Sequence, residues 1–203
     1  MPEPFTTFTA IAAPLDLSNV DTDQIMPARF MRRPRDERYS NYGFHDVRFT
    51  PDGARREDFV LNRAPFDRAG ILVAARNFGV GSSREAAVYA LLALGIRCVV
   101  AESFGDIFFG NALKNGLLPV RLPEAALAGL RATLLAAPGT ALTVDLPRNV
   151  LIEEGGMEHP FAIPTFARDC LLRGLDEIGL TLTLLPEIEA FEAARPNGGA
   201  SVA

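Results

Sequence analysis

Short apolar runs alternate with helix-forming segments through the middle of the chain. Residues 71–75 are continuously apolar, as expected of a strand covered on both faces, and a glycine-rich turn follows them. The pattern then predicts a helix over residues 85–94, a strand over 98–101, a helix over 103–116 opened by a Ser103–Asp106 capping box, and a strand over 117–122. This β-α-β-α-β order predicts an α/β fold with a parallel sheet and right-handed crossovers.

The flanking segments extend this picture. Residues 6–15 predict a strand, whereas residues 29–56 mix polar and charged positions without a period and predict a long surface loop. A helix is expected over 124–136 after Pro123, and strands over 140–146, 150–154 and 159–163 predict an antiparallel meander. Further helices are expected over 165–173, ended by Gly174, and over 186–195. We expect a single domain over residues 1–195 and a disordered tail over 196–203.

Composition and charge narrow the class of protein. With 203 residues, of which 48% are hydrophobic, the chain is long enough to bury a substantial core. Its 25 acidic and 20 basic side chains are spread along the chain and give a net charge of -5, so we expect no nucleic-acid partner. Apolar runs are far shorter than the roughly 20 residues of a membrane span, and the start lacks the basic residues of a signal peptide. We therefore expect a cytoplasmic protein with no membrane partner.

Residues that bind metals are scarce. Cys98 and Cys170 each lie in an apolar stretch and are predicted to be buried thiols rather than disulfide partners or metal ligands. The other candidate ligands are His45 and His159, and their spacing from the cysteines matches no zinc or iron–sulfur site. We therefore expect this chain to hold no metal ion itself.

The turn Gly79-Val80-Gly81-Ser82-Ser83-Arg84-Glu85 is the strongest candidate for chemistry. It lies between a predicted strand and a helix, where backbone N–H groups and the helix dipole favour an anion. The glycines allow close approach of a ligand, the serines provide hydroxyls, and Arg84 offers a planar fork for a carboxylate. The turn lacks the third glycine of a dinucleotide motif, the lysine of a phosphate-binding loop and the G-x-S-x-G frame of a serine hydrolase. The structural alternative is a plain connection in which Ser82 and Ser83 cap the helix.

Two other segments give weaker indications. In Asp21-Thr22-Asp23, followed by Arg29, Arg32 and Arg33, acids are placed to orient an arginine or a partner's histidine near the anion site. A polar turn and a solvated arginine face would explain the same residues. The phenylalanine-rich segment 103–116 is predicted to pack on the sheet.

Three stretches together resemble the small subunit of bacterial 3-isopropylmalate dehydratase: residues 19–27 (NVDTDQIMP), 77–85 (NFGVGSSRE) and 114–119 (KNGLLP). Residues 58–62 and 174–182 resemble the longer bacterial form, so the similarity covers nearly the whole chain. The resemblance implies the aconitase-type swivelling β/β/α domain with a partly parallel central sheet. It also implies a large partner subunit that carries a [4Fe-4S] cluster on its own cysteines, in a heterodimer or heterotetramer, and a small dicarboxylate substrate.

The resemblance also assigns roles to individual residues. Ser82 would take the proton from the carbon next to a substrate carboxylate, and Ser83 would support the site. Arg84 would grip a carboxylate, and Asp23 would face the partner's catalytic groups. The segment around Arg32 would meet the variable end of the substrate.

At that variable end, Phe30 and Met31 would pack against an isopropyl group. The implied function is interconversion of 2-isopropylmalate and 3-isopropylmalate by dehydration and rehydration in leucine biosynthesis. Two positions depart from the family: Ala86 stands where most members have histidine, and Val80 stands where cysteine is frequent. The alternatives are a paralogous hydro-lyase subunit for citraconate, dimethylmalate or homoaconitate-like substrates, and a non-catalytic anion-binding regulator.

Overall fold

The computed structural model describes residues 3–195. These residues form seven strands: β1 (Thr7–Pro14), β2 (Ile71–Val73), β3 (Cys98–Ala101), β4 (Leu118–Arg121), β5 (Ala141–Asp145), β6 (Val150–Glu153) and β7 (Glu158–Pro160). They also form eight α-helices: α1 (Thr22–Ile25), α2 (His45–Arg48), α3 (Ala86–Ala93), α4 (Asp106–Lys114), α5 (Glu124–Ala136), α6 (Thr165–Arg173), α7 (Glu177–Thr183) and α8 (Leu185–Ala194). The tail predicted for residues 196–203 lies outside the described residues.

The described strands form one sheet in the order β4-β3-β2-β1-β5-β6-β7. β1, β2, β3 and β4 run parallel, with Ala12 beside Ile71, Ile71 beside Cys98, and Cys98 beside Leu118. This confirms the predicted parallel β-α-β-α-β run, in which α3 and α4 connect neighbouring strands. Because parallel strands end at the same edge, the segments that follow β1, β2 and β3 meet there.

The other half of the sheet is the predicted antiparallel meander of β5, β6 and β7. β1 joins the two halves, since its residues 7–11 pair with β5 and its residues 12–14 pair with β2. β7 is shorter than predicted and ends at Pro160, which has no N–H group to continue a ladder.

Apolar side chains pack on both faces of the sheet. Successive residues of a strand point to opposite faces, so Leu72 packs in the cluster that contains α3 and α4, while Ile71 and Val73 pack in the cluster that contains α5. The buried-thiol prediction is confirmed for Cys98, whereas Cys170 is only partly buried, and neither of these two cysteines forms a disulfide. Within residues 3–195, no helix has the length and apolar composition needed to cross a membrane.

Residues 79–85 are called the site turn below. The two helices that follow it, α3 and α4, begin later than the sequence predicts. Ser82 and Ser83 do not cap α3, because that helix begins at Ala86 and its N-cap is Glu85. The Glu85 side chain instead accepts a hydrogen bond from Asn115 Nδ2 at 2.7 Å. The serines therefore lie in the turn itself, where their hydroxyls are available for other contacts.

The predicted capping box at the start of α4 is also wrong. Gly105 is the N-cap, and Ser103 Oγ accepts a bond from the Asn77 backbone N–H at 2.9 Å. Further along, α5 and α6 match the prediction, but α7 was missed. Its sequence contains Gly179 and two threonines, which are weak helix formers, and the helix begins at a cap in which Asp176 accepts a bond from Gly179 N–H at 2.6 Å.

The prediction of a surface loop over residues 29–56 is wrong in part. The segment contains α2 and two 3₁₀ turns, Ala28–Phe30 and Glu37–Asn41, and it buries Tyr39, Phe44 and Arg48. The Arg48 guanidinium donates to the carbonyl oxygens of Ser40 at 2.8 Å and Gly43 at 3.1 Å. Burial lowers the pKa of Arg48 to about 10, so the side chain stays charged at neutral pH. A buried cation surrounded by carbonyl oxygens thus orders a segment that has no hydrophobic period.

Candidate active site

Three loops meet at the carboxyl ends of the parallel strands. The loop after β2 is bonded to the loop after β1 through Gly79 N–H to Val20 O at 2.7 Å and Thr22 N–H to Val80 O at 2.8 Å. The same loop is bonded to the loop after β3 through Gly105 N–H to Phe78 O at 2.9 Å. Backbone bonds therefore fix the turn that carries Ser82–Arg84 between its two neighbours.

Glycine at positions 79 and 105 allows this close approach. Gly79 has φ +74°, a left-handed conformation that disfavours other residues, and a Cβ there would overlap the Phe108 ring. A Cβ at Gly105 would lie 2.5 Å from Gly79 O. The first turn of α4 consequently packs directly on the backbone of the site turn.

Ser82 is exposed, and its hydroxyl contacts a buried threonine. Thr22 is 1% exposed, and its Oγ1 lies 2.8 Å from Ser82 Oγ. Thr22 Oγ1 also accepts the Ser82 N–H at 3.2 Å and lies 3.3 Å from Ser82 O. The sequence placed Thr22 in a polar turn and gave no signal for this role, since only the pairing of two distant loops reveals the contact. Thr22 holds Ser82 by both its backbone and its side chain.

Arg84 and Asp23 form an ion pair beside this serine. Arg84 Nη1 lies 2.5 Å from Asp23 Oδ1, and the side chains are 20% and 57% exposed respectively. Asp23 Oδ1 also accepts the Ala28 N–H at 2.9 Å. The Ala28 N–H, followed by Arg84, holds the pKa of Asp23 below its usual value although burial opposes this. The structure thus brings together Ser82, Arg84 and Asp23, three of the residues singled out from the sequence.

A shallow cavity of about 250 Å³ opens next to Ser82. It is lined by residues 79–82 of the site turn and by Gly105, Asp106 and Ile107 at the start of α4. The N-terminus of a nine-residue helix carries backbone N–H groups and partial positive charge. The helix end favours a negatively charged group beside the Ser82 hydroxyl, whereas the Asp106 carboxylate in the same lining opposes it. Arg84, two residues after Ser82 in the turn, offers a guanidinium suited to a carboxylate.

The remaining predicted residues lie further from this arrangement. Ser83 and Arg32 are both exposed, and within residues 3–195 Arg32 forms no ion pair. Phe30 stacks on Tyr42 with ring centroids 4.6 Å apart, and Met31 is exposed. The structure therefore does not place Arg32 in contact with Ser82 or Arg84.

The two departures from the family pattern have simple structural settings. Val80 acts through its backbone, since its carbonyl oxygen accepts the Thr22 N–H, so its side chain is not needed for that contact. Ala86 is the first residue of α3 and packs half-buried against the core. Neither side chain takes part in the hydrogen bonds of Ser82 to Thr22 or in the Arg84–Asp23 ion pair.

Metal ligands are not gathered at this site. In the part of the chain that the structure describes, no three histidine, cysteine or acidic side chains converge on a possible metal position. The chemistry that these residues themselves offer is a hydroxyl held by Thr22 and a guanidinium suited to a carboxylate.

Comparisons with known proteins agree on one family. The family model described as the aconitase C-terminal domain matches residues 2–125. A 3-isopropylmalate dehydratase small subunit from Gluconacetobacter diazotrophicus is 49% identical over 193 residues, which cover 95% of this chain and 93% of the relative. A protein of the same name from Brevibacillus brevis is 44% identical over 192 residues, covering 95% and 99% respectively. The crystal structure of 3-isopropylmalate dehydratase (leuD) from Methanocaldococcus jannaschii has a TM-score of 0.66 at 24% identity, over 91% of this chain and 99% of that chain.

Because the aconitase C-terminal domain model matches residues 2–125, the chain is a protein of the aconitase superfamily, as the sequence resemblance implied. Within that superfamily, the chain belongs to the family of 3-isopropylmalate dehydratase small subunits. The predicted aconitase-type α/β fold is confirmed.

Proposed function

We propose that this chain is the serine- and arginine-bearing half of a 3-isopropylmalate dehydratase. It interconverts 2-isopropylmalate and 3-isopropylmalate by removing and re-adding water, in leucine biosynthesis. The observation that carries the proposal is the contact of Ser82 with Thr22, beside the Arg84–Asp23 pair, in a chain 49% identical to a named small subunit. A cytoplasmic location follows from this biosynthetic role as a prediction.

Ser82 is the proton-accepting group in this proposal. A serine hydroxyl is a weak base in water, so its deprotonated form needs nearby donors that stabilise negative charge. The Thr22 hydroxyl lies 2.8 Å away, and the N-terminus of α4 lines the same cavity. Deprotonated Ser82 takes the proton from the carbon next to a substrate carboxylate, the C–H electrons form the new C=C bond, and the hydroxyl on the adjacent carbon leaves.

Arg84 binds the carboxylate that flanks the reacting carbon. Its guanidinium presents parallel N–H donors that match the two oxygens of a carboxylate. Asp23 Oδ1 forms an ion pair with Nη1 on one side of the fork, which leaves the other side for the substrate. Because the pKa of Asp23 lies below its usual value, Asp23 remains ionised and keeps Arg84 in place.

The remaining half of the site comes from a large partner subunit. That subunit is proposed to carry a [4Fe-4S] cluster, which supplies a Lewis acid for the substrate hydroxyl when it is bound. The exposed faces of Ser82 and Asp23 are available to such a partner. Activity is therefore expected only after the two subunits assemble.

The variable end of the substrate is proposed to lie toward residues 28–33. Ala28 N–H donates to Asp23, so this segment begins next to the carboxylate-binding pair. Met31 and Arg32 are exposed there and are free to meet a substrate or the partner. Ser83, also exposed, supports the same face of the turn.

Reconstitution tests the proposal. The chain is mixed anaerobically with a cluster-loaded large subunit, and the absorbance of the unsaturated intermediate is followed with 2-isopropylmalate as substrate. We expect no absorbance change with either subunit alone and steady formation with both. A panel of citraconate-, dimethylmalate- and homoaconitate-type substrates is run in parallel. Turnover of one of these in place of isopropylmalate would overturn the substrate assignment, and binding of a carboxylate without turnover of any would overturn the catalytic role.

A further inference from the structure

The 3₁₀ turn Ala28–Phe30 is held from two sides. At its start, Ala28 N–H donates to Asp23, the carboxylate that also pairs with Arg84. At its middle, the Arg29 guanidinium makes two parallel hydrogen bonds to the Asp46 carboxylate, one of them from Nη1 to Oδ2 at 2.9 Å and the other from Nη2 to Oδ1. The exposed residues Met31, Arg32 and Arg33 follow this turn directly.

Asp46 lies on a helix that is hydrogen-bonded to its neighbouring segments. It lies in α2, whose N-cap residue Phe44 donates its N–H to Ile25 O at 2.8 Å and thereby fixes α2 to the end of α1. The last residue of α2 is the buried Arg48, which is bonded to two backbone carbonyls of the preceding segment. Asp46 is therefore the fixed partner in the pair, and Arg29 is the partner that is positioned.

The Arg29–Asp46 ion pair contributes more to the orientation of the Ala28–Phe30 turn than to the free energy of unfolding. The two side chains are 52% and 55% exposed, and exposed ion pairs contribute little to the free energy of unfolding. A bidentate arginine–carboxylate pair does, however, fix orientation. Phe30 is ordered by the same elements, because its ring stacks on Tyr42 and lies 4.7 Å from the His45 ring.

We propose that Asp46 is a positioning residue that clamps Arg29 and so fixes residues 28–33, which select the substrate by its variable end. This inference rests on the proposed function and deepens it. It assigns substrate discrimination to a residue that lies 23 positions after Asp23 in sequence and need not touch the substrate itself.

The test compares three variants in the assembled pair of subunits. Asp46→Asn removes the charge that holds Arg29. Asp36→Asn is the matched control, because Asp36 forms another exposed ion pair on the same segment, with Arg38 Nη2 at 2.7 Å, and caps the second 3₁₀ turn, Glu37–Asn41, rather than the turn Ala28–Phe30. The double variant R29D/D46R restores the pair with its charges exchanged.

Two measurements are made on each variant. Amide hydrogen exchange of residues 28–33, measured on the chain alone, reports whether the segment is held. The ratio of kcat/KM for 2-isopropylmalate to that for an analogue with a methyl group at the variable end reports discrimination. We expect D46N to exchange faster and to lose about tenfold of this ratio through KM, with kcat within about twofold of wild type. D36N should match wild type, and R29D/D46R should regain slow exchange and most of the ratio.

A wild-type ratio in D46N would overturn the inference, as would an equal loss in D36N. A charge-exchanged variant that regains slow exchange without regaining the ratio would also overturn it, since Arg29 itself would then meet the substrate. If the assembled wild-type subunits do not turn over isopropylmalate at all, the proposed function fails. Amide hydrogen exchange of residues 28–33 then tests separately whether Asp46 holds this segment. Faster exchange in D46N supports the positioning role of Asp46, and unchanged exchange overturns it.

Discussion

Replacing Thr22 with valine removes a hydroxyl from beside Ser82 while nearly keeping the shape of the side chain. Thr22 is 1% exposed, and its Oγ1 accepts the Ser82 N–H at 3.2 Å and lies 2.8 Å from Ser82 Oγ. The Ser82 carbonyl, 3.3 Å from the same oxygen, would face a methyl group in the variant. The substitution therefore disturbs the contacts of Ser82 without opening a cavity.

Three hydrogen bonds between the Thr22 hydroxyl and Ser82 are lost, each contributing about 0.5–1.5 kcal/mol net, so we expect Thr22→Val to lower the free energy of unfolding by about 1.5–4.5 kcal/mol. For a chain of this length, each kcal/mol corresponds to a decrease in Tm of about 2–4 °C. Catalysis should also be affected. Loss of one donor to a developing oxyanion lowers kcat by about 100-fold or more.

Thr22→Ser separates these two effects. Serine keeps the hydroxyl but loses a buried methyl group, which should reduce the free energy of unfolding by about 1 kcal/mol. We expect this variant to be slightly less stable and yet to retain kcat within about threefold of wild type. The assay is the reconstituted dehydratase reaction together with thermal unfolding of each chain. A wild-type kcat in Thr22→Val, or an equal loss of kcat in both variants, would show that the Thr22 hydroxyl does not stabilise deprotonated Ser82.

Three further predictions concern Gly79, Asp46 and Cys98. Gly79→Ala should lower the free energy of unfolding by about 2–4 kcal/mol, seen as a lower Tm, because a Cβ would overlap Phe108 and the residue has φ +74°; an unchanged Tm would contradict this. Hydrogen bonds from Arg29 lower the pKa of Asp46 from 3.8 to about 2, so the contribution of the pair is complete above the ordinary carboxyl pKa and is lost as the pH falls toward 2. The stability difference between wild type and D46N is small because both side chains are about half exposed, and it should shrink further over that interval in acid titration. Burial raises the pKa of the Cys98 thiol, so Cys98 should react with a thiol reagent only after denaturation, as peptide mapping would show.

The parallel half of the sheet was predictable because its strands are buried on both faces. Residues 71–75 and 98–101 are uninterrupted apolar runs, and each is followed by a turn with glycine and then by a helix-forming segment. Such local patterns determine strands, helices and their order. They do not determine the first residue of a helix, so the pattern alone also fits the alternative in which Ser82 and Ser83 cap α3.

The sequence pattern does not predict contacts between segments that are far apart along the chain. Thr22 and Ser82 are 60 positions apart, and nothing local to either residue indicates their hydrogen bond. Residues 29–56 were interpreted as a loop because their order depends on the buried Arg48 and on backbone carbonyls rather than on a hydrophobic period. The turn at 79–85 was identified as a candidate site because its glycines, serines and arginine lie within seven residues.

The most direct test of the central claim, that this chain supplies the proton-accepting serine of a dehydratase, is the activity of Ser82→Ala in the assembled pair of subunits. Ser82 is exposed and its N–H still donates to Thr22 Oγ1 after the substitution, so the variant should fold and co-purify with the large subunit. Loss of the Oγ–Oγ hydrogen bond should lower its free energy of unfolding by about 0.5–1.5 kcal/mol. In that pair, we expect the rate of formation of the unsaturated intermediate from 2-isopropylmalate to fall by about 100-fold or more. A Ser82→Ala pair that assembles normally and retains the full rate would contradict this claim.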